Sequence, residues 1–509
     1  MTDQTAEASW LMGIDIGAGS LKTTVIDSRG RVAGSASRNL STSSPQPRWS
    51  EQDPEDWWQA LCRTVPQALK QAGIPASALA AISFSAGAHT PVLVDAQGTV
   101  LRPAILWNDQ RSDLQARDLQ ARHGEEILRI ACNRPVPTWT MPQLMWLMQN
   151  EPDIMSRARR LYVAKDWLRG RLTDTWETDV TDAVGTLLFD PSAQQWSARL
   201  CDMIGLDASI LPPVARATAV VGKVTQKAAA ASGLQCGTPV VCGSSDTSVE
   251  ALGAGATKVG QGTVKLATAA TISIVGASSH THPTLINYPF AVPGLWYTIT
   301  GTNSCASAHR WLRDTFFMDA GDDGTGAFAV MDALAGEVPL GSRGLLFHPY
   351  LQGERAPHWD PLLRGDFLGI SFRHDRGHFV RALYEGIAFS LRDILEQFRA
   401  QGHQLDSARI IGGGSRSALW RQITADVLNI RIEMPLITDA SFGAALLAGV
   451  GVGVFPDEAS AVAGCVSVAC THQPDPVRHA RYDAQYAIYR DSALALRAIN
   501  HRISALGAE

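Results

Sequence analysis

Short apolar runs that end in glycine or other small residues recur along the chain. Residues 10–27, WLMGIDIGAGSLKTTVID, place two apolar runs on either side of a glycine turn, and a third follows at 31–37. Residues 257–275 repeat this pattern with Thr, Val and Ile. Such runs around glycine predict β-hairpins. Each half of the chain therefore opens with a hairpin, and this weak duplication predicts two similar α/β domains with a ligand bound between them.

Between the predicted strands, apolar residues recur with the helical period. The spacing predicts helices at 112–129, 142–150, 165–172, 226–232, 305–317, 378–401 and 417–428. A further helix is predicted to begin at Pro54, with Asp53 as its cap and acidic residues in its first turn. Strands are predicted at 80–85, 91–95, 344–350 and 409–411, and at 105–107 before a polar end.

One stretch near the middle of the chain delivers a single carboxylate. The apolar run 239–242 leads through Gly243, Ser244 and Ser245 to Asp246, and a pattern of small helical residues follows. In open α/β sheets, ligands bind at the carboxyl ends of the strands, which suits a catalytic carboxylate. Asp is also a preferred residue for capping a helix. These residues alone leave both interpretations of Asp246 open.

Composition and charge limit the classes of function that this chain can have. A chain of 509 residues exceeds what one hydrophobic core usually supports. The net charge of −5 and the absence of a Lys/Arg run argue against nucleic acid or a membrane surface as partner. The first residues lack the pattern of a signal peptide, and 444–455 is too short to span a bilayer, so we expect a cytoplasmic protein. Eight cysteines without CxxC spacing predict buried, reduced thiols.

Three turns of small residues follow predicted strands, at 17–20, 267–270 and 412–415. Small side chains let backbone N–H groups approach phosphate oxygens. Neither a Walker motif nor GxGxxG is present, which disfavours the P-loop and Rossmann classes. Asp15 ends the first strand between Ile14 and Ile16, where a carboxylate suits Mg2+, bound directly or through water.

Ordered motifs over nearly the whole chain carry a resemblance to a known family. They are GIDIGAGSLK (13–22), WSEQDPEDWW (49–58), LRPAILWNDQRS (101–112), KDWL (165–168), DVTDAVGT (179–186), PYLQGERAPHWDP (349–361) and GGGSRSALWRQITAD (412–426). Residues 365–385 also fit the C-terminal signature of that family. The chain resembles the FGGY family of carbohydrate kinases, and within it the xylulokinase branch.

The resemblance implies an α/β fold of two actin- and hexokinase-like (ribonuclease H-like) domains around a central cleft. The expected bounds are 10–254 for the N-terminal, sugar-binding domain and 255–500 for the C-terminal, nucleotide-binding domain. The implied reaction is ATP-dependent phosphorylation of a ketose, D-xylulose to D-xylulose 5-phosphate, with Mg2+. The implied partners are thus a small sugar and MgATP, and a homodimer is left open.

The family's functional residues carry over by position. Asp246 would be the base that faces the sugar hydroxyl, and Asp15 would lie near Mg2+ and the γ-phosphate. The remaining implied contacts are Gly17, Lys22 and Thr268 for phosphate, Gly412, Gly413 and Gly414 for the α-phosphate and adenosine, and Ala88, His89 and Thr247 for the sugar.

Several positions depart from the family pattern. Ala18 replaces a threonine in the first turn, and the second turn reads Ala267-Thr268-Ala269-Ala270 where Gly-Thr-Ser-Gly is usual. Gly87-Ala88 stands where xylulokinases have Gln-Met, and Thr247 where they commonly have Asn. The sugar-side changes leave open another pentulose such as ribulose, a hexulose or a polyol. The phosphate-side changes leave open a catalytically impaired homologue that binds sugar or nucleotide.

Overall fold

Two sheets, each begun by a β-hairpin, carry the fold. The structure, a computed structural model, describes residues 9–318 and 325–506. The strands of the first half are β1 Trp10–Ile16, β2 Ser20–Ile26, β3 Val32–Asn39, β4 Glu51–Gln52, β5 Leu79–Ala86, β6 Pro91–Val94, β7 Ala104–Ile105, β8 Arg160–Val163, β9 Thr178–Asp179, β10 Phe189–Asp190, β11 Gln195–Trp196, β12 Val214–Ala215, β13 Val220–Lys223, β14 Pro239–Val241 and β15 Ser244–Ser245. Those of the second half are β16 Gln261–Leu266, β17 Ala270–Gly276, β18 Ile286–Pro289, β19 Trp296–Gly301, β20 Leu346–His348, β21 Asp366–Leu368, β22 Ser407–Ile411, β23 Arg431–Pro435 and β24 Val468–His472.

Helices separate and cover these strands. They are α1 Pro54–Ala72, α2 Asp113–Ala131, α3 Thr140–Asn150, α4 Pro152–Arg157, α5 Ala164–Thr173, α6 Val180–Gly185, α7 Ala198–Ile204, α8 Gln226–Ser232, α9 Asp246–Ala254, α10 Ala306–Phe316, α11 Thr325–Glu337, α12 Arg376–Ala400, α13 Ala418–Leu428, α14 Ala440–Gly451, α15 Glu458–Cys465 and α16 Pro476–Leu506. No helix in the described ranges is long and apolar enough to cross a membrane.

The chain folds into two compact units, each assembled from three segments. The described residues up to Thr257, with Ala277–Tyr297 and Ile437–Val466, form the first unit. Lys258–Gly276, the described part of Thr298–Leu436, and the described residues from Ser467 onward form the second. The linear bounds predicted from the sequence, 10–254 and 255–500, stay a prediction.

The first unit is a mixed sheet with helices on both faces. Its strands follow the order β13-β14-β5-β1-β2-β3, and β15 also pairs with β5. Strand β5 runs parallel to β1, β14 and β15, whereas β2 is antiparallel to β1. One face packs on α1 and α5 through a core that includes Trp57 and Trp58. The other face packs on α14 through Leu11, Ile26 and Ala81.

Helix α14 approaches β1 very closely. A Cβ atom at Gly13 would overlap the carbonyl oxygen of Ser441 on α14. Only glycine therefore allows this helix to lie against the middle of β1. A segment from the C-terminal half thus covers the first strand of the chain.

The second unit carries the other hairpin. Its sheet includes the order β19-β17-β16-β22-β23-β24, in which β16 is antiparallel to β17 and parallel to β22. The long helix α12 contacts β17 and the helices α10, α11 and α13. Helix α16 places Tyr482, Tyr486 and Tyr489 on its buried face.

Most elements predicted from the sequence are present. The two hairpins and the helices are confirmed, and Asp53 caps α1 by accepting a hydrogen bond from the Glu55 N–H. Two predicted strands are shorter than expected: β20 is limited to Leu346–His348, and β7 ends at Ile105. Trp107, predicted inside a buried strand, has 45% of its surface exposed because the chain has already turned away. The expectation of buried thiols was wrong for Cys236, which is exposed, and Cys62 and Cys470 are half-buried.

Substitution of Gly13 by alanine tests the contact between β1 and α14. Because the added methyl group would overlap the α14 backbone, Gly13→Ala should lower the free energy of unfolding by about 1–3 kcal/mol. Gly464→Ala, in α15 of the same unit, meets nothing within 4 Å and should leave stability unchanged or raise it by up to ~1 kcal/mol. Urea midpoints measured by tryptophan fluorescence would check both, and equal midpoints would contradict the close approach.

Candidate active site

Asp15 stands where the first strand of the chain ends. In the β1–β2 hairpin it lies opposite Lys22, and in the parallel pairing with β5 it lies opposite Ser85. The Ser85 hydroxyl donates a hydrogen bond of 2.7 Å to Asp15 Oδ1. The carboxylate is therefore anchored by a side chain of the neighbouring strand.

Asp246 reaches the same edge of the sheet from the other side of β5. Strand β15 pairs with β5 so that Ser244 lies opposite Ser85 and Ser245 opposite Ala86. Ser245 occupies the N-cap position of α9, and Asp246 is the first helical residue. The capping interpretation of Asp246 was therefore wrong. Its Oδ1 instead accepts hydrogen bonds from the Thr247 N–H at 2.6 Å and the Thr247 hydroxyl at 3.2 Å, at a helix end that favours negative charge.

Acidic side chains crowd this edge of the sheet. Burial, followed by the charge of Asp246 and smaller effects of Glu250 and Asp439, raises the pKa of Asp15 to about 7, against the lowering effect of the Ser85 hydroxyl. Lys22 forms an ion pair of 2.8 Å with Asp439, the capping residue of α14. The ammonium group predicted to bind phosphate is thus already held by a carboxylate beside Asp15.

The donors at this edge suit a hard divalent cation. Burial and, after it, the charge of Asp246 raise the pKa of Asp15, and a bound cation would favour the ionised carboxylate against both effects. Among the residues that the structure describes, no three carboxylate, His or Cys side chains form a complete metal-binding cluster. This arrangement is compatible with Mg2+, which proteins usually hold through one or two carboxylates while phosphates and water supply the other ligands.

A buried cluster of aromatic side chains, named the His89 pocket here, adjoins the strand that precedes Asp246 within the same unit. His89 has a left-handed backbone (φ 67°) and lies stacked on Trp139 with 4.1 Å between ring centres. Its Nε2 is 2.6 Å from the Tyr288 hydroxyl. Burial lowers the pKa of His89 to about 3, so the imidazole is neutral at physiological pH. Tyr297 stacks on Tyr288 and its hydroxyl lies 3.4 Å from the Ser245 hydroxyl, which joins this pocket to the strand before Asp246.

Two glycines make room around the segment that carries His89. A Cβ atom at Gly87 would lie 3.0 Å from Trp107 Cδ1 and 3.9 Å from Asp246 Oδ2. A Cβ atom at Gly185 would lie 3.0 Å from His89 Cδ2 and 3.7 Å from the Cβ of Ala88. Ala88 therefore faces α6, while Gly87 lies between Trp107 and the acidic edge.

The second unit brings Thr268 close to the triple glycine. Strand β16 pairs with β22 so that Lys265 lies opposite Ile411, and the two turns leave the sheet side by side. Gly412 has a φ of 88°, and a Cβ atom there would lie 2.7 Å from the Leu266 carbonyl oxygen. A Cβ atom at Gly413 would meet nothing within 4 Å, so the backbone at this glycine faces open space.

The alanines that replace family residues fit their turns. Positive φ angles occur at ten non-glycine residues of the described chain, and Ala18, Ala267, Ala269 and Ala270 are not among them. Alanine therefore adopts these turn conformations without strain. The Gly17 N–H donates to the Ser20 carbonyl at 2.9 Å, so the first turn uses this group internally.

The structure thus gathers the predicted residues in two groups. Within the first unit lie Gly17, Lys22, Ala88, His89, Thr247 and the two aspartates, and within the second lie Thr268 and Gly412–Gly414. Sequence reasoning missed Ser85, Asp439, Trp139 and the tyrosine pair at 288 and 297. Asp439 lies outside the motifs and the elements predicted from the sequence. No local pattern signals its partner, because 417 positions separate it from Lys22.

Comparisons with known proteins match both halves of the chain to one family. The N-terminal domain model of the FGGY family of carbohydrate kinases matches residues 10–253, and its C-terminal domain model matches 262–452. A xylulose kinase of Staphylococcus epidermidis is 34% identical over 94% of this chain and 95% of that protein. An autoinducer-2 kinase of Salmonella choleraesuis is 30% identical over 96% of this chain and 95% of its own. The crystal structure of a xylulose kinase from Rhodospirillum rubrum, 30% identical, matches with a TM-score of 0.88 over 97% of this chain and 100% of that chain. The predicted two-domain α/β fold is confirmed.

Asp15 should destabilise the free protein above neutral pH. Its folded-state pKa of about 7 exceeds the ordinary value of 3.8, so the folded state binds the proton more tightly than the unfolded state does. Stability contributed by this residue therefore falls as pH rises from about 4 to 7 and stays low above. Asp15→Asn should raise the free energy of unfolding at pH 8, on the order of 2–4 kcal/mol, and lose this advantage near pH 4.

Thermal midpoints of the wild type and Asp15→Asn between pH 4 and 8 would measure this effect. Asp491→Asn serves as the matched control, because Asp491 is exposed and its replacement removes a carboxylate that solvent already surrounds. A difference that does not grow with pH would contradict the raised pKa.

Proposed function

The chain belongs to the FGGY family of carbohydrate kinases, and on that premise we propose that it phosphorylates D-xylulose with ATP to give D-xylulose 5-phosphate. The observation that carries the proposal is the joining of Asp246 and Asp15, through β5, at one edge of a sheet that adjoins the His89 pocket. The similarity to xylulose kinases over nearly the whole chain supports the choice of sugar.

We infer that Asp246 is the base for the reacting hydroxyl. The bond that forms joins the sugar oxygen to the γ-phosphorus of ATP, and the bond that breaks joins that phosphorus to the β,γ-bridging oxygen. The proton of the hydroxyl passes to the Asp246 carboxylate, and ADP leaves. Two donors from Thr247 on Oδ1 hold the carboxylate in one orientation, which matters because phosphoryl transfer depends mainly on positioning and charge stabilisation.

The acidic edge would hold Mg2+ through Asp15, directly or by way of water. When bound there, the cation neutralises charge on the phosphate oxygens. Lys22, held by Asp439 beside Asp15, contributes a positive charge on the same hairpin. In the second unit, the Thr268 turn and the backbone at Gly412–Gly414 are the proposed contacts for the phosphates and adenosine of ATP, because the open space at Gly413 lets a ligand approach the chain.

The segment that carries His89 would bind the sugar. The imidazole is buried and neutral, and its Nε2 lies 2.6 Å from the Tyr288 hydroxyl, so a sugar hydroxyl would share that nitrogen with the tyrosine. Trp139 and Tyr288 are buried and stack with the imidazole, so they would hold it in place. Such a site distinguishes ketoses through its few polar groups.

A second candidate is a kinase for another sugar or polyol. It is favoured by one specific observation: Gly87-Ala88 and Thr247 line the site where xylulokinases carry Gln-Met and Asn. The similarity to an autoinducer-2 kinase shows that this sequence range includes proteins named for another substrate. Specificity constants over pentuloses, hexuloses and polyols with MgATP would separate the two, and the absence of turnover on any of them would identify an impaired homologue.

Removal of the Asp246 charge should abolish most turnover without loss of nucleotide binding. Because general-base catalysis contributes about 10²–10⁴-fold, Asp246→Asn should lower kcat by that factor. The Kd for ATP, measured by calorimetry, should stay within about threefold of the wild-type value. The exposed Asp56→Asn is the control and should keep full activity. An equal loss of ATP affinity in Asp246→Asn would instead indicate a structural role.

The side chain at position 88 should govern the size of the accepted sugar. Ala88 lies close to Gly185 of α6, so Ala88→Met places a larger side chain between the His89 segment and α6 and would reduce the room for the sugar proposed to bind there. Because one methylene group in a pocket changes discrimination by about 10–200-fold, kcat/KM for a hexulose should fall at least 10-fold more than for D-xylulose. Ala96→Met, on the exposed turn after β6, makes the same replacement away from the pocket and serves as the control. Equal losses for both sugars would contradict a role of residue 88 in selectivity.

A further inference from the structure

A cluster of five charged side chains lies buried beneath the strand that leads to Asp246. We name it the α5 charge cluster: Lys165, Asp166 and Arg169 on α5, Asp179 on β9, and Asp182 on α6. Each of these side chains is at most 2% exposed. The Lys165 ammonium lies 2.6 Å from Asp166, 2.9 Å from Asp179 and 3.0 Å from Asp182.

The cluster contains two cations and three carboxyl groups. Burial, opposed by Lys165 but reinforced by Asp179 and Asp166, raises the pKa of Asp182 well above its usual value. Despite burial, Lys165 and the hydroxyl of Ser244 hold the pKa of Asp179 below its usual value. The raised pKa of Asp182 favours its protonated form beside the two cations and the other carboxylates, and Arg169 has a further acidic neighbour, Glu177, at 3.7 Å.

Stability alone does not account for such a cluster. Removal of charges from water is costly, and well-packed apolar residues of similar volume are often as stabilising as a buried ion pair or more so. Buried charges do, however, impose directional contacts that apolar groups lack. The part of the chain that these contacts hold in place therefore indicates the role of the cluster.

The cluster holds both sides of a sharp bend before Asp246. Arg169 Nη1 donates to the Cys242 carbonyl oxygen at 3.0 Å, and the Ser244 hydroxyl donates to Asp179 Oδ2 at 2.9 Å. Between these residues, Gly243 has a φ of 81°, and a Cβ atom there would overlap the Phe84 carbonyl oxygen on β5. The bend therefore packs closely against β5 on one side and is hydrogen-bonded to the α5 charge cluster on the other.

The same strand connects the cluster to both acids of the site. Ser244 lies opposite Ser85, whose hydroxyl donates to Asp15, and Asp246 begins α9 two residues after Ser244. A shift of Ser244 along β5 would therefore move Asp246 relative to Asp15.

We propose that the α5 charge cluster positions the Asp246 carboxylate through the hydrogen bond between Asp179 and Ser244, which makes these two side chains positioning residues for phosphoryl transfer. The proposal rests on the proposed function. It assigns to the cluster a role in the chemical step, because a misplacement of the base by about 1 Å costs up to 10²-fold in rate.

Ser244→Ala tests the bond from the strand side. It removes one hydroxyl while the charges of the cluster remain, so the fold should persist. We expect kcat for the sugar to fall about 10- to 100-fold, while KM for ATP stays within twofold, because only the chemical step is affected. Ser232→Ala is the matched control: Ser232 is equally buried in the same unit, but its hydroxyl donates to the Ala228 carbonyl within α8. Its kcat should remain within twofold of the wild-type value.

Asp179→Ala tests the same bond from the cluster side. Asp179 also caps α6 and pairs with Lys165, so this variant loses those contacts too, while Lys165 keeps Asp166 and Asp182 as partners. If the bond acts as a unit, Ser244→Ala should lower kcat no further in the Asp179→Ala protein. Stoichiometry of ATP-analogue binding, measured for each variant, separates loss of folded protein from a slower chemical step.

The outcomes distinguish this inference from the proposed function. A wild-type protein that phosphorylates no sugar overturns both. A wild-type protein that turns over, with Ser244→Ala as fast as Ser232→Ala, overturns this inference alone. Multiplicative losses in the double variant would likewise overturn it, because the two residues would then act separately.

Discussion

The parallel pairing of β5 with β1 and β15 positions both acids of the candidate site. Strand β1 brings Asp15 beside Ser85, and β15 brings Ser244 beside the same residue from the opposite side. A shift of one residue in either register would turn every side chain of that strand to the other face of the sheet. The positions of the two acids therefore follow from backbone hydrogen bonding, and the side chains only refine them.

The two groups of carboxylates in the first unit differ in how their negative charges are compensated. In the α5 charge cluster, Lys165 and Arg169 pair with the buried acids. At the acidic edge, Lys22 pairs with Asp439, and burial and the charge of Asp246 raise the pKa of Asp15 to about 7. A cluster that contains its own cations suits a support, whereas crowded carboxylates suit a place that binds a charged ligand.

Local patterns predicted the hairpins, several helices and the place of Asp15 at a strand end, but they did not predict α14 or α16 and left the role of Asp246 open. The hairpins, the Asp53 cap and the carboxylates at strand ends depend on neighbours within a few positions, which a sequence displays directly. Some contacts form only when distant parts of the chain fold together, and no local spacing predicts them. Examples are Lys22 with Asp439 and His89 with Tyr288. The left-handed backbone of His89 is equally hidden, because tertiary contacts impose it on a residue type that seldom adopts it.

The contact between Gly13 and α14 also has a consequence for synthesis on the ribosome. The first strand emerges early, but the helix that covers one face of its sheet is encoded more than 400 residues later. At about 5–20 residues per second, the apolar side chains Leu11, Ile26 and Ala81 wait for at least about 20 s before α14 exists. During that interval these side chains lack the helix that covers them in the folded protein, and the delay follows from the order of the segments along the chain rather than from any single residue.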